Sequence, residues 1–264
     1  EEETSAQGGG ACNLVAQAFM DQVLVADLAI QNGGGCRTDI FPGNFTVSDA
    51  VNMLPFANTM VTLDLTGEQV ILVLNQAVDI SAFQGVSSGA YPYAAGIRFD
   101  VDVNAGFPNY LSNVQVNPRF AGEWEPIDLD ATYTIVTNSF IAGGRDNYLV
   151  FGEIPDDLVT DQFLEYSQIF IEYAQEQEVL VDPPLETYST QSYTALMPET
   201  DTPTASPVVA TMTDMPTMAP VVDVMDTEEP TMAPVMGEDS AAAAIVSKAW
   251  VMMALTMMMG WMVM

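Results

Sequence analysis

Ala29-Ile30-Gln31-Asn32-Gly33-Gly34-Gly35-Cys36-Arg37-Thr38 joins an apolar strand to three consecutive glycines and then to an arginine. Glycines, having no Cβ, let backbone N–H groups approach a ligand closely and permit positive φ. A guanidinium offers planar paired donors to an anion. The chain has 5 basic residues among 264, so an arginine here is a candidate ligand contact; the alternative is a tight turn with a solvated side chain.

Two further stretches follow in order. Leu54-Pro55-Phe56-Ala57-Asn58-Thr59 lies downstream, and Thr137-Asn138-Ser139-Phe140-Ile141-Ala142-Gly143-Gly144-Arg145-Asp146 lies near the end of a strand-rich region. Asn13-Leu14 opens a helical pattern, and Gly96-Ile97-Arg98-Phe99-Asp100 reads as part of a strand. In this order and spacing, from about residue 11 to residue 152, the set resembles the C-terminal domain of the 5′-nucleotidase family.

Composition bounds the chemistry. The formal net charge is −31, with 36 acidic residues against 5 basic ones, which excludes a nucleic-acid-binding surface because phosphate backbones are repelled. A small anion can still bind where arginines gather. The chain contains no histidine, which removes His-ligated zinc and the Ser-His-Asp and Cys-His forms of catalysis. No pair of carboxylates stands out, and no catalytic residue or metal ligand is assigned. The 2 cysteines, Cys12 and Cys36, support neither a disulfide scaffold nor a metal site; they are either joined or two buried thiols. The opening Glu1-Glu2-Glu3-Thr4-Ser5-Ala6-Gln7 is acidic and lacks the apolar stretch of a signal peptide, and the chain reads as a processed or partial piece of a longer protein.

Local patterns give an α+β fold: a mixed β-sheet with flanking helices. Asn13 to Val23 has helical apolar spacing, with Asn13 as the expected cap. Ala26 to Gln31 reads as a buried strand. Thr46 starts a short helix. Met60 to Leu65 alternates as a strand whose core face is Val61, Leu63 and Leu65 rather than Met60, Thr62 and Asp64. Thr66 and Gln69 form the capping box of a helix running through Ala77. Strands are expected near Ile97 to Val103, Ser112 to Val116 and Thr132 to Thr137, and a long helix over Asp156 to Val181 closes the domain.

The chain divides into a domain over 1–195, a Pro/Thr/Met-rich disordered stalk over 196–240 and an apolar anchor or anchor signal over 241–264. The stalk carries the related hexamers that begin at Pro203, Pro216 and Pro230; repeated Pro and Thr favour an extended O-glycosylated stalk or a plain linker. Small residues Ser240, Ala241 and Ala242, then a short spacer and the apolar run Ala249 to Met264, match a glycosylphosphatidylinositol signal or a transmembrane tail. Asn44-Phe45-Thr46 is an N-glycosylation sequon at Asn44. These features place the chain at the cell surface or outside the cell, anchored to the membrane.

The family resemblance implies more. Its members have an N-terminal metallophosphatase domain, which holds divalent metal ions and activates water, and a C-terminal domain that binds the nucleotide. This chain corresponds to the second, so no cofactor is expected on it, and its partners are a nucleoside monophosphate or nucleoside, the metallophosphatase domain and the membrane. By resemblance, Asn32, Gly34 and Arg37 form the glycine motif that contacts the nucleotide, Arg37 pairing with phosphate or ribose oxygens. Phe56 and Phe140 hold the base between them, and Asp146 accepts hydrogen bonds from the ribose hydroxyls. Without the family pattern Phe56 and Phe140 read as core residues and Asp146 as a turn residue. Asn58 is expected to brace the loop of Phe56, and Arg98 and Arg119 to have local partners.

The chain departs from the family pattern at Arg145, where a second glycine is usual, at Asn147, which replaces the glycine after the aspartate, and at Cys36, which replaces an aliphatic residue. A further family arginine upstream of the Asn13-Leu14 helix would fall at or before Glu1, so phosphate binding by this piece alone is expected to be weak. The implied function is the nucleotide-binding half of a surface 5′-nucleotidase, a hydrolase in nucleotide catabolism that is not catalytic without its metallophosphatase domain. The other reading is a stand-alone, non-catalytic cell-surface module for nucleoside capture or interaction.

Overall fold

Period-2 apolar residues in three strands create a sheet that is covered on both faces. The computed structural model describes residues 9–83 and 88–194; the expected stalk and anchor lie outside the described residues. Helix α1 (Gly10–Gln22) leads to strand β1 (Leu28–Asn32) and a 3₁₀ turn (Gly33–Gly35). Then come α2 (Val47–Met53), β2 (Thr59–Thr66), α3 (Gly67–Phe83), β3 (Pro92–Ala95), β4 (Ile97–Asp102), β5 (Leu111–Val116) and β6 (Glu125–Pro126). The order ends with β7 (Thr132–Asn138), α4 (Ser139–Ala142), α5 (Leu149–Glu153), β8 (Val159–Glu165), α6 (Tyr166–Gln177) and β9 (Thr190–Thr194).

These strands form not one sheet but two: a 5-stranded sheet in the order β3-β1-β7-β2-β8 and a 4-stranded sheet in the order β6-β5-β4-β9. Each is mixed, with one parallel pair, β1 with β7 and β4 with β9. The chain passes from the first sheet to the second at Gly96, whose φ is +75°. A Cβ there would lie 3.0 Å from the Leu28 side chain and 3.1 Å from the Asp27 carbonyl, so both conformation and space call for glycine.

The first sheet is the central layer. Leu28, Ile30, Leu63, Leu65 and Ile135 face a core shared with α3 and with Phe99 and Val101 of the second sheet. The opposite face, Ala29, Met60 and Val136, packs against Phe19 of α1, Met53 of α2 and Phe170 of α6. All five residues of β1 are buried, as expected of a strand covered on both sides. In β2, Val61, Leu63 and Leu65 do form the larger core face, while Met60 serves the other layer.

Helix starts follow local chemistry. Asp49 N donates to Thr46 Oγ1 (3.3 Å) and Thr46 N to Asp49 Oδ2 (2.8 Å). Thr66 and Gln69 repeat this reciprocal capping at α3, at 2.9 and 3.3 Å, and α3 continues past Ala77 to Phe83. The end of α1 is closed by a distant residue. Arg119 Nη1 donates to the carbonyls of Met20 (2.7 Å), Val23 (3.3 Å) and Ala26 (3.1 Å), placing a cation where the helix dipole is negative. Arg98 lies over the Trp124 ring, 4.3 Å from its centroid, and donates to Gln115 Oε1 at 2.9 Å.

Two expectations are corrected. Asn13 does not cap α1: the helix begins earlier, after Gly9, and Asn13 Nδ2 bonds back to the Gly9 carbonyl (3.0 Å) while its Oδ1 accepts from Ser189 N (3.0 Å). The stretch Asp156 to Val181 is not one helix. A 3₁₀ turn at Asp156–Leu158 precedes β8, and only Tyr166–Gln177 is α-helical. Pairing with the edge of β2, Leu63 to Val159 and Thr62 to Thr160, draws this segment into the sheet, where long-range hydrogen bonds outweigh local propensity.

Candidate functional site

Strand register gathers the sequence motifs at one end of the first sheet. β1 runs parallel to β7, with Ala29 opposite Val136, so Asn32 and Asn138 emerge at the same end. β2 runs antiparallel to β7, with Met60 opposite Asn138, so the segment entering β2, which carries Phe56, arrives beside the segment leaving β7, which carries Phe140. Thr59 N donates to Ser139 Oγ at 3.1 Å and ties the two together. The carboxyl ends of parallel strands are a common place for a ligand crevice in α/β sheets.

Beneath this edge lies a buried amide network. Asn138 Nδ2 donates to Gln31 Oε1 (2.9 Å) and Asn32 Oδ1 (3.1 Å). Asn138 Oδ1 accepts from Phe140 N (3.1 Å) and Ile141 N (3.2 Å), which fixes the first turn of α4. Asn32 Nδ2 in turn donates to Asp146 Oδ2 at 2.8 Å. Gln31, Asn32 and Asn138 are all buried, so each unmet amide would be costly. Asp146 Oδ1 has no partner among the described residues and is available to accept from a ligand hydroxyl.

Phe56 and Phe140 are not core residues: they are 45% and 42% exposed. Each is held by its backbone rather than by burial. Phe56 N donates to the Tyr166 hydroxyl at 3.3 Å, and Tyr166 N donates to the Asn58 carbonyl at 3.1 Å. The Asn58 side chain also bonds the Tyr166 hydroxyl, so Asn58 does brace this loop. Burial pushes that hydroxyl up to about 12, keeping it protonated. Arg37 is exposed. Its guanidinium lies 6.0 Å from the Phe56 ring centroid and donates from Nη1 to the Gly34 carbonyl at 3.2 Å.

The glycine run works differently from expectation. None of Gly33, Gly34 and Gly35 has positive φ. The triplet forms a 3₁₀ turn, and glycine is needed there for close approach: a Cβ on Gly34 would lie 3.1 Å from Gly89 Cα, and one on Gly35 would overlap the Gln31 amide. Positive φ occurs instead at Asp146 (53°) and Asn147 (64°). Asn147 meets this need in place of the family's glycine, and its Nδ2 donates to the Gln76 carbonyl at 2.6 Å. Asx side chains tolerate this region better than other residues do. Cys12 and Cys36 are joined as a disulfide.

Sequence reasoning did not assign Gln31, Asn138 or Tyr166 to the site. Asn138 was findable as an asparagine just before a helical turn; Gln31 and Tyr166 carry no local signal. The described residues contain no group of three or more His, Cys, Asp or Glu able to hold a metal ion. A groove of about 930 Å³ elsewhere is lined by the start of α1, the loop carrying Asp39 to Thr46 and the end of α6, and none of the six binding-site candidates lines it. Asn44 lies exposed on that loop.

A family model described as 5′-nucleotidase, C-terminal domain, matches residues 1–153. The chain is 37% identical over 171 residues to a NAD 5′-nucleotidase of Haemophilus influenzae, an alignment covering 63% of this chain and 28% of that protein. The structure of Haemophilus influenzae NAD nucleotidase superposes with a TM-score of 0.66 at 33% identity, over 72% of this chain and 34% of that one. A 5′-nucleotidase precursor from Thermus thermophilus gives a TM-score of 0.63 at 26% identity, over 73% and 36%. The chain thus spans at most 36% of the length of these proteins.

Proposed function

Because the chain belongs to the family of 5′-nucleotidase C-terminal domains, we propose that it is the nucleotide-binding half of an enzyme that hydrolyses nucleoside 5′-monophosphates to nucleoside and phosphate. The observation that carries this reading is the Asn138–Asn32–Asp146 network, which holds a carboxylate with one open oxygen at the sheet end where two half-exposed phenylalanines and an arginine also emerge.

In this reading the base stacks between Phe56 and Phe140. Stacking is worth about 1–3 kcal/mol per base and tolerates different bases. Asp146 accepts from the ribose hydroxyls, Asn32 and the Gly34 turn line the sugar and phosphate, and Arg37 meets the anion. Arg37 has no carboxylate partner among the described residues, so its charge is uncommitted before ligand arrives. In a chain of net charge −31, that local cation matters for admitting a phosphate.

The metal ions and attacking water belong, in this proposal, to a separate metallophosphatase domain. Among the described residues no group of three or more His, Cys, Asp or Glu could hold a metal ion. Placement outside the cytoplasm, at the cell surface, is proposed with it. The disulfide supports an oxidising compartment, and the exposed Asn44 sequon is available for N-glycosylation. No helix among the described residues is long and apolar enough to cross a membrane; the proposed anchor lies outside them.

Titration calorimetry of the chain with adenosine and AMP tests the reading. Both ligands are expected to bind, and Phe56→Ala and Phe140→Ala each to weaken both by about 1–3 kcal/mol. Absence of binding by the folded chain would favour a non-catalytic interaction module.

A further inference from the structure

We propose that the Cys12–Cys36 disulfide is a positioning device for Arg37: it holds the guanidinium where it meets the phosphate and so sets the preference for a nucleotide over the corresponding nucleoside. The proposal rests on the nucleotide-binding reading above. Cys12 belongs to α1, whose Leu14, Val15 and Phe19 are buried in the core, so one end of the bond is anchored in a rigid element. Cys36 stands between the glycine turn and Arg37, 24 residues away along the chain.

The other restraints on Arg37 are few. Its backbone N donates to the Met53 carbonyl at 2.8 Å, and Cys36 N donates to the Gly33 carbonyl at 3.1 Å. Its guanidinium donates to the Gly34 carbonyl, lies against the Phe56 ring and acts electrostatically on the Tyr166 hydroxyl. On one side the three glycines are held as far as Gly35, by Gly33 N donating to the Tyr91 carbonyl at 2.9 Å and by close packing against Gly89 and Gln31; on the other, Thr38 and Asp39 are exposed and outside any helix or strand. The disulfide is the covalent restraint next to the arginine. Without it, the ligand's phosphate has to order the turn, at an expected loss of about tenfold in affinity. A disulfide that acts only as a staple restricts the unfolded chain and leaves ligand preference unchanged.

The test compares AMP and adenosine affinities for the whole chain in three forms: oxidised, reduced with a phosphine that delivers two electrons while each sulfur takes a proton, and Cys12→Ala/Cys36→Val. Circular dichroism follows the fold. The proposal expects AMP to weaken about tenfold and adenosine by less than about twofold, with no further loss of AMP affinity when the bond is removed in an Arg37→Ala background. Equal weakening of both ligands, or no change in either, would overturn it, as would melting of the fold by both routes. Failure of the oxidised chain to bind AMP would overturn the functional reading itself.

Discussion

Asn32 and Asp146, 114 residues apart in sequence, share a hydrogen bond of 2.8 Å from the Asn32 amide to one Asp146 carboxylate oxygen. That bond couples the end of β1 to the loop after α4 and fixes which oxygen of the carboxylate remains open. The same Asn32 side chain accepts from Asn138 at 3.1 Å, so one buried amide connects the two segments that present the site.

Asn32→Ala leaves Asp146 and the buried Asn138 amide each short of a partner. A stability loss of about 1–3 kcal/mol is expected, with weaker adenosine binding. Urea unfolding and calorimetry on the same preparation check both. Asn32→Asp is expected to lose binding as well, because it sets two carboxylates against each other.

Tyr166→Phe removes the hydroxyl that holds Phe56 N and the Asn58 side chain. The ring still fills its buried place, so stability should fall by only about 1–2 kcal/mol. Adenosine affinity should drop, and AMP affinity at least as much, because the loop of Phe56 loosens and the Phe56 ring is one of the contacts of Arg37. Unchanged affinity for both ligands in a calorimetric comparison would contradict this.

Arg119→Met deprives the carbonyls at the end of α1 of their shared donor. It should cost about 2–4 kcal/mol by thermal or urea unfolding, and nucleotide affinity should be unchanged under conditions where the chain stays folded.

Burial raises the Tyr93 and Tyr166 hydroxyls from 10.0 to about 12. Between those values the folded chain retains protons that the unfolded chain has lost, so stability falls as pH rises through that window. The urea midpoint should fall over it.

What the sequence disclosed and what it concealed divide by range of interaction. Thr46 with Asp49 and Thr66 with Gln69 act within one helical turn, and both helix starts were legible. Alternation in Val61, Leu63 and Leu65 was legible because side-chain direction in a strand is local. β8 was not, since Val159 to Glu165 becomes a strand through pairing with β2 and carries no alternation of its own. Asn13 has the residue type of a cap, yet its oxygen is used by Ser189, 176 residues away. The motif residues Asn32, Arg37, Phe56, Phe140 and Asp146 could be named only through the resemblance to the 5′-nucleotidase family. Gln31 and Tyr166, which hold them, could not, because their roles depend on partners brought near by the sheets.

A crystal structure of the chain soaked with adenosine would locate the nucleoside on the molecule. The base is expected between Phe56 and Phe140 and the ribose hydroxyls on Asp146 Oδ1, with the Asn32–Asp146 bond kept. Adenosine in the groove lined by Phe41, Phe45 and Ile171, or an empty sheet end at saturating ligand, would contradict it.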